Sequence, residues 1–474
     1  MIKILFIHYH LRTGGVTTVV TQQAKVLADT CDLLVAAGDI PENQKKDLPF
    51  DTAVIPGLGY DRKDVQPDDP DDVADQLMGA VYKKWENGCD LVHVHNATLA
   101  KNKNFIKILK NLQRRGLRLL IQIHDFAEDG RPHAFYSDFY PENCHFAVIN
   151  SRDYNLLSRS GLRPEGLHFL PNMVREFDLD NNSEKISKKI VLYPVRAVRR
   201  KNIGEALLMS LFFKNDETLA ITRPASSDSD MKPYERWKAF AQENDLNVIF
   251  EAGLKFSFEA LFKNSEWIIT TSITEGFGFS FLDPWMAQKF LWGRRIRDLC
   301  ADFVKKGVKL DHLYDGLYIP FGWIDSELLF EKWKDALLSS CRLYGHMPDK
   351  SMLMYTFNKM ERENKIDFGM LDETFQQGVV FRILAHEKNR KKLVELNPFL
   401  KAFGHVKNQE KIITHNKDAI AFHYNREKYK KNLVHIYTRV MKTDVCHRIK
   451  KSALLNHFLQ PDNFSLLKWG QGDE

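Results

Sequence analysis

Cysteine is scarce in this chain, and long apolar runs are missing. Six cysteines occur in 474 residues, at 31, 89, 144, 300, 341 and 446. None forms a CxxC pair, which argues against a disulfide framework and for reduced, mostly buried thiols of a cytoplasmic protein. No uninterrupted apolar stretch approaches about 18 residues, so no transmembrane helix is expected. The apolar start is broken by His8 and His10 and is too short for a signal peptide; it reads as a first strand. Internal repeats and low-complexity segments are also absent. What remains is ordinary globular material, 44% hydrophobic and 27% charged, long enough for two α/β domains with separate cores.

The net charge of +6 is uneven. Residues 381–474 hold 19 Lys/Arg against 9 Asp/Glu, a net +10, which leaves −4 for the first 380. This excess reads as solvated helix faces. Peripheral contact with an anionic membrane is the less favoured reading, because no basic amphipathic helix with a clean aromatic face stands out. No nucleic-acid partner is expected.

Short apolar runs alternate with helix-length segments over the first 300 residues. The runs 3–8, 32–37, 52–55, 91–95, 119–124 and 146–150 make one strand series. A second comprises 190–195, 219–222, 248–251, 267–271 and 290–292. Helical spacing appears at 16–29, 100–113, 203–212 and 234–243. Such alternation implies parallel sheets with right-handed crossovers. The polar stretch 177–187 is the best linker. Helices dominate from about residue 326, and 420–459 keeps helical apolar spacing up to Pro461. The acidic loop 61–72 has two prolines and no EF-hand spacing, so it reads as an exposed loop capping the helix after Asp71.

The most informative stretch is Glu275-Gly-Phe-Gly-Phe-Ser-Phe-Leu-Asp283, just after an apolar run. It reads as strand, tight turn and helix. Gly276 and Gly278 would let backbone amides approach a ligand, and a helix starting near Phe279 would favour an anion. Carboxylates at Glu275 and Asp283 suit sugar hydroxyls, each accepting two hydrogen bonds. A phosphate cradle between two hydroxyl readers suggests a nucleotide-sugar site. A second strand ends at Arg196 and the next helix begins near Lys201, which offers a fork and a point charge to a diphosphate. Arg199 and Arg200 read as a solvated turn.

These motifs resemble those of the family-4 retaining glycosyltransferases, which have the GT-B fold. The resemblance covers the organisation of roughly residues 1–300. It implies two Rossmann-like domains facing each other across a cleft, with helices at the C-terminus. The expected domains are 1–175 on the acceptor side, 188–420 for the nucleotide sugar, and 421–474 crossing back to the first. By resemblance, Glu275 contacts the donor hexose, the amides of Gly276, Phe277, Gly278, Phe281 and Leu282 touch hexose and diphosphate, and Asp283 holds the ribose. The family usually has Glu at that last position. Arg196 and Lys201 would neutralise the diphosphate, and a loop carrying Gly14 and Gly15 would close over it. His124, at a strand end, would contact the transferred sugar, while Asn96 and Asp125 lie on the acceptor side.

The expected function is therefore transfer of a hexose from a UDP-, GDP- or ADP-sugar to a hydroxyl of a small polar or sugar acceptor. The proposed catalytic set is Glu275, His124, Arg196 and Lys201, with no cofactor and no metal. Two alternatives stay open. One is a non-catalytic sugar-nucleotide binder of the same fold, prompted by Asp283. The other is a metal hydrolase built on His8/His10 and His93/His95, because residues i and i+2 of a strand face the same way.

Overall fold

The computed structural model describes residues 1–41, 48, 50–63, 65–177, 184–348, 351, 353–361, 363–402 and 406–470. The chain divides into two compact units, Met1–Met173 with Tyr424–Phe458, and Val174–His423 with Leu459–Glu474. Part of the expected linker, 178–183, lies outside the described residues.

The first unit is built on seven parallel strands in the order β3-β2-β1-β4-β5-β6-β7. They are β1 (Ile2–His8), β2 (Cys31–Ala37), β3 (Asp51–Val54), β4 (Leu91–His95), β5 (Leu119–Ile123), β6 (His145–Val148) and β7 (Leu167–Phe169). Residues alternate across the sheet: Leu5 and Ile7 join the helices Pro70–Lys84 and Phe105–Arg114 on one face, while Ile4 and Phe6 join Gly15–Leu27 on the other. The helix Arg426–Lys442 buries Tyr429, Leu433, Ile436, Tyr437 and Val440 in that second face. This stripe recurs every three to four residues, the spacing of one helical face.

The second unit has five parallel strands in the order β10-β9-β8-β11-β12. These are β8 (Lys189–Arg196), β9 (Glu217–Arg223), β10 (Val248–Ile249), β11 (Ser265–Thr270) and β12 (Leu291–Gly293). A short antiparallel pair, β13 (Tyr318–Pro320) and β14 (Lys365–Asp367), interrupts the later helices.

Several expectations need correction. Strand β7 and the pair β13/β14 lacked a periodic signal because each is only three residues long. The strand at 248–251 shrinks to two residues, since Glu251 adopts a left-handed backbone with φ of 61°. The helix expected from 234 begins at Asp228, where Ser227 caps it, and it tolerates Pro233. The acidic loop caps through Asp69, whose carboxylate accepts from the Asp71 amide at 2.8 Å, with Pro70 as the first helical residue. Residues 421–474 do not form one block: from Leu459 the chain belongs to the second unit, held there by Trp333 Nε1 donating to the Phe464 carbonyl at 3.1 Å. The six cysteines are free and four are buried. No helix among the described residues is long and apolar enough to cross a membrane.

Candidate functional site

In each sheet the strand order reverses beside its first strand, and ligands of open α/β sheets bind beyond the carboxyl ends of strands at such a point. In the second unit these ends belong to β8 and β11. Arg196 closes β8 and is followed by a 3-10 turn, Arg199–Lys201, and by Asn202 with φ of 53°. The turn is pinned to the end of β11. Thr271 Oγ1 donates to the carbonyls of Lys201 at 3.1 Å and Asn202 at 2.9 Å, and the Tyr193 hydroxyl also donates to Lys201.

Lys201 Nζ thereby reaches Glu275 and forms an ion pair with it. Arg200 Nη1 lies 3.6 Å from the other Glu275 oxygen and donates to the Thr274 carbonyl at 3.2 Å. Burial raises the Glu275 pKa, but Lys201 and Arg200 outweigh it and hold the carboxyl below its ordinary value. The sequence reading sent Glu275 and Lys201 to different ligand groups, whereas the structure pairs them directly. Arg200, read as part of a solvated turn, belongs to this cluster. Arg196 is half-buried and has no side-chain partner among the described residues.

The stretch 276–283 departs from expectation in two ways. Gly278 has φ of +87°, a backbone that other residues rarely adopt, and a Cβ there would meet Leu299 Cδ2 at 2.7 Å, so the turn favours glycine without any ligand. No long helix follows. A 3-10 turn, Phe279–Phe281, precedes a one-turn helix, Asp283–Met286, whose dipole is correspondingly small. The side chains of Phe277, Phe281 and Leu282 are core, leaving only their backbones for a ligand. Asp283 is also buried. Its Oδ2 accepts from Arg175 Nη2 at 3.1 Å, while its Oδ1 has no partner among the described residues. Burial, opposed by Arg175, pushes this carboxyl up to about 6. Arg175 lies 4.2 Å from the Phe258 ring centroid and 5.4 Å from that of Phe177. Sequence reasoning missed Arg175; its only signal was a cation beside Phe177 at the edge of the polar linker.

In the first unit, Gly14 has extended backbone and Gly15 opens the helix Gly15–Leu27. A Cβ on Gly14 would come no closer than 3.9 Å to the Arg12 carbonyl, and one on Gly15 would meet nothing within 4 Å. The chain's own packing therefore requires neither glycine. His124 lies just beyond β5, its ring stacked on His95 and its Nε2 3.2 Å from His95 Nδ1. Burial lowers its pKa to about 4. Asn96 adopts φ of 58° and its Oδ1 accepts from the backbone amides of His124 and Asp125 at 3.2 and 3.0 Å. That oxygen is spent on shaping the loop. The Asp125 carboxylate pairs with Arg131 at 2.8 Å.

His8, His93 and His95 are buried in the core, whereas His10 is half-buried. His93 spends Nδ1 on the Tyr437 hydroxyl and Nε2 on Gln122 Oε1, at 2.9 and 3.1 Å. Burial lowers His8 and His93 to about 3. Among the described residues, no three His, Cys, Asp or Glu side chains converge on a metal-sized site.

The sequence reading also missed a cavity of about 340 Å³ in the first unit, lined by Tyr9, His10, Arg12, Asp39, Tyr60 and Arg62 among others. It lies at the carboxyl ends of β1 and β2 beside the loop that was read as plain. The Tyr9 and Tyr60 rings meet edge to face at 5.4 Å, and Arg12 pairs with Asp39.

No family model matches the chain. It is 28% identical over 419 residues to mannosylglucosyl-3-phosphoglycerate synthase of Petrotoga mobilis, covering 80% of both chains. Among solved structures, sucrose-phosphate synthase of Thermosynechococcus elongatus matches 92% of this chain and 98% of its own, with a TM-score of 0.53 at 13% identity. Anabaena HepE in complex with UDP-glucose matches 92% and 99%, with a TM-score of 0.53 at 11% identity. A glycosyltransferase of Rickettsia africae matches 93% and 99%, with a TM-score of 0.54 at 12% identity. The fold is GT-B. Within that GT-B framework the cluster of Arg200, Lys201 and Glu275 belongs to the second Rossmann-like unit, as does Arg196, and the cavity of about 340 Å³ belongs to the first.

Proposed function

We propose that the protein is a retaining, metal-independent glycosyltransferase. It moves a hexose from a nucleoside-diphosphate sugar to a hydroxyl of a small polar or sugar acceptor. The observation that carries this reading is the pair of cations, Arg200 and Lys201, held on Glu275 at the point where the strand order of the second sheet reverses, with Arg196 closing the adjacent strand. Arg196 and Lys201 face the diphosphate and stabilise the charge that develops as it departs, where preorganised electrostatics acts most strongly. Glu275 orients the hexose. The bond from the sugar's anomeric carbon to the diphosphate breaks as the bond to the acceptor oxygen forms on the same face, and a diphosphate oxygen takes the acceptor's proton. His124 is uncharged near neutral pH, so it positions the sugar and does not protonate it. Asp283 receives a ribose hydroxyl on its unpartnered oxygen. The glycine loop at 14–15, which packing leaves unexplained, gives backbone access to the phosphates.

On the acceptor side, the cavity of the first unit combines aromatic faces, carboxylates and Arg62. That lining suits a hydroxylated sugar carrying an anionic group. The Petrotoga relative's product, a glycosylated phosphoglycerate, has this chemistry. HepE was solved with UDP-glucose, which makes UDP-sugars the first donors to test, ahead of GDP- and ADP-sugars.

A thermal-shift and turnover screen with these donors, with and without EDTA, tests the reading. The expected result is stabilisation by one nucleoside diphosphate and its sugar, with turnover that survives chelation. Binding without donor hydrolysis or transfer would favour the non-catalytic binder, a reading supported by the shorter Asp283. The absence of binding to any donor overturns the proposal.

A further inference from the structure

Arg199 sits between the two halves of the cation motif, and its side chain is only 10% exposed. Its guanidinium forks onto Glu373, with Nε to Oε1 and Nη2 to Oε2 both at 2.7 Å. Nη1 donates to the carbonyl of Gly470, and Nη2 lies 3.4 Å from the carbonyl of Leu466. The Arg199 amide donates to Asp230 Oδ1 at 3.0 Å. The side-chain partners of this residue are thus Glu373 and the carbonyls of Leu466 and Gly470, and Glu275 is not among them. The carbonyls belong to a terminal turn, Leu466–Trp469, which Ser465 caps and whose Trp469 stacks on Phe464 at 5.2 Å. Gly470 closes the turn: a Cβ there would come within 2.6 Å of the Leu466 carbonyl.

The 3-10 turn Arg199–Lys201 is therefore gripped from two directions. Its Lys201 end is fixed to Thr271 and Tyr193, and its Arg199 end to Glu373 and the last described residues of the chain. A three-residue turn is too short to absorb a shift at one end without moving the other. Arg200 and Lys201, the two cations that contact Glu275, follow Arg199 directly.

We infer that Arg199 is a positioning residue through which the docked C-terminal turn sets the geometry of Arg200 and Lys201 at the proposed donor site. The inference rests on the proposed donor site and extends it: the site is complete only when residues 464–470 are seated. Arginine is required here because a lysine cannot fork onto Glu373 and also reach a carbonyl.

The test is calorimetric titration with whichever of UDP, GDP or ADP binds the parent protein most tightly. Arg199→Gln, and a truncation that removes everything from Leu466 onward, are each measured well below their unfolding temperatures. Both weaken binding by at least about tenfold, the scale of one lost charge-assisted contact. The same changes made on an Arg200→Ala/Lys201→Ala background add little further loss, because the coupling runs through those cations. A merely structural role would lower the unfolding temperature and leave affinity intact, or would give additive losses; either result overturns the inference alone. If the truncation fails to fold, Glu373→Gln, which keeps the shape and removes the charge, carries the same cycle. If the parent binds no nucleoside diphosphate, the donor-site reading falls and this inference with it.

Discussion

Glu275 and Asp283, eight residues apart, are stabilised in opposite ways. Two cations hold Glu275 ionised, whereas burial pushes Asp283 toward its protonated form despite Arg175. The sequence made both acids visible as candidates. It could not show the pairing of Glu275 with Lys201, which lies 74 positions away, or that Arg175 takes one Asp283 oxygen. Asn96 misled for a related reason: its side chain satisfies two backbone amides, a use that motif spacing does not encode. The two carboxylates should answer differently to isosteric replacement. Glu275→Gln removes a contact to the reacting sugar and should cut turnover roughly ten- to hundredfold, while nucleoside-diphosphate affinity holds or tightens as Lys201 is released. Asp283→Asn should weaken donor and free diphosphate alike, by about 1–3 kcal/mol. The folded-state pKa of Asp283, about 6, lies above its ordinary 3.8, so its contribution to stability is fully present below about pH 4 and lost as pH rises through 6. The thermal midpoint of ligand-free Asp283→Asn relative to the parent should therefore rise between pH 4 and 7. A flat difference would mean the carboxylate is satisfied in the folded protein.

Among elements, the glycine-bearing turns were the easiest to locate and the hardest to interpret. Both the 14–15 and the 276–278 turns follow strands, as alternation and Gly spacing indicated. Their glycines are present for different reasons. Gly278 needs its left-handed backbone and the space against Leu299, whereas Gly15 starts a helix in open surroundings. Gly278→Ala should destabilise the second unit by about 1–3 kcal/mol through strain and overlap. Gly15→Ala should leave stability within about 1 kcal/mol of the parent or improve it, alanine being the better helix former. If the 14–15 loop touches donor phosphates, Gly15→Ala should nevertheless weaken nucleotide-sugar binding. Chemical denaturation and calorimetry on the two variants separate a packing glycine from a ligand glycine, and equal stability losses would contradict this division. Elements of three residues, such as β7, β13 and β14, stayed hidden because two or three positions cannot establish a period.

At the scale of the molecule, strand-helix alternation made the two parallel sheets readable, because a strand buried on both faces announces itself as an apolar run. The return of the late helix to the first unit was expected from resemblance; the residues that fix it there emerge only from the packing. Tyr437, on the helix Arg426–Lys442, is fully buried, and its hydroxyl lies 2.9 Å from Nδ1 of His93 in β4, 344 positions earlier. The other His93 nitrogen bonds Gln122 in β5. This chain of polar groups ties the C-terminal segment to the middle of the first sheet, and the low pKa of His93, about 3, keeps the ring neutral there. Tyr437→Phe would preserve the packing and strand Nδ1 without a partner. An orphaned buried group costs about 1–3 kcal/mol. Urea unfolding of the ligand-free variant should show that loss at pH 7, while nucleoside-diphosphate affinity should be unchanged, since the Tyr437 hydroxyl bonds His93, which is not among the proposed donor-binding residues. Tyr437→Ala should cost more, roughly 3–5 kcal/mol, by adding a cavity to the lost hydrogen bond. If Tyr437→Phe matched the parent in stability, the hydroxyl would not be what holds His93, and the helix would be anchored by its apolar stripe alone.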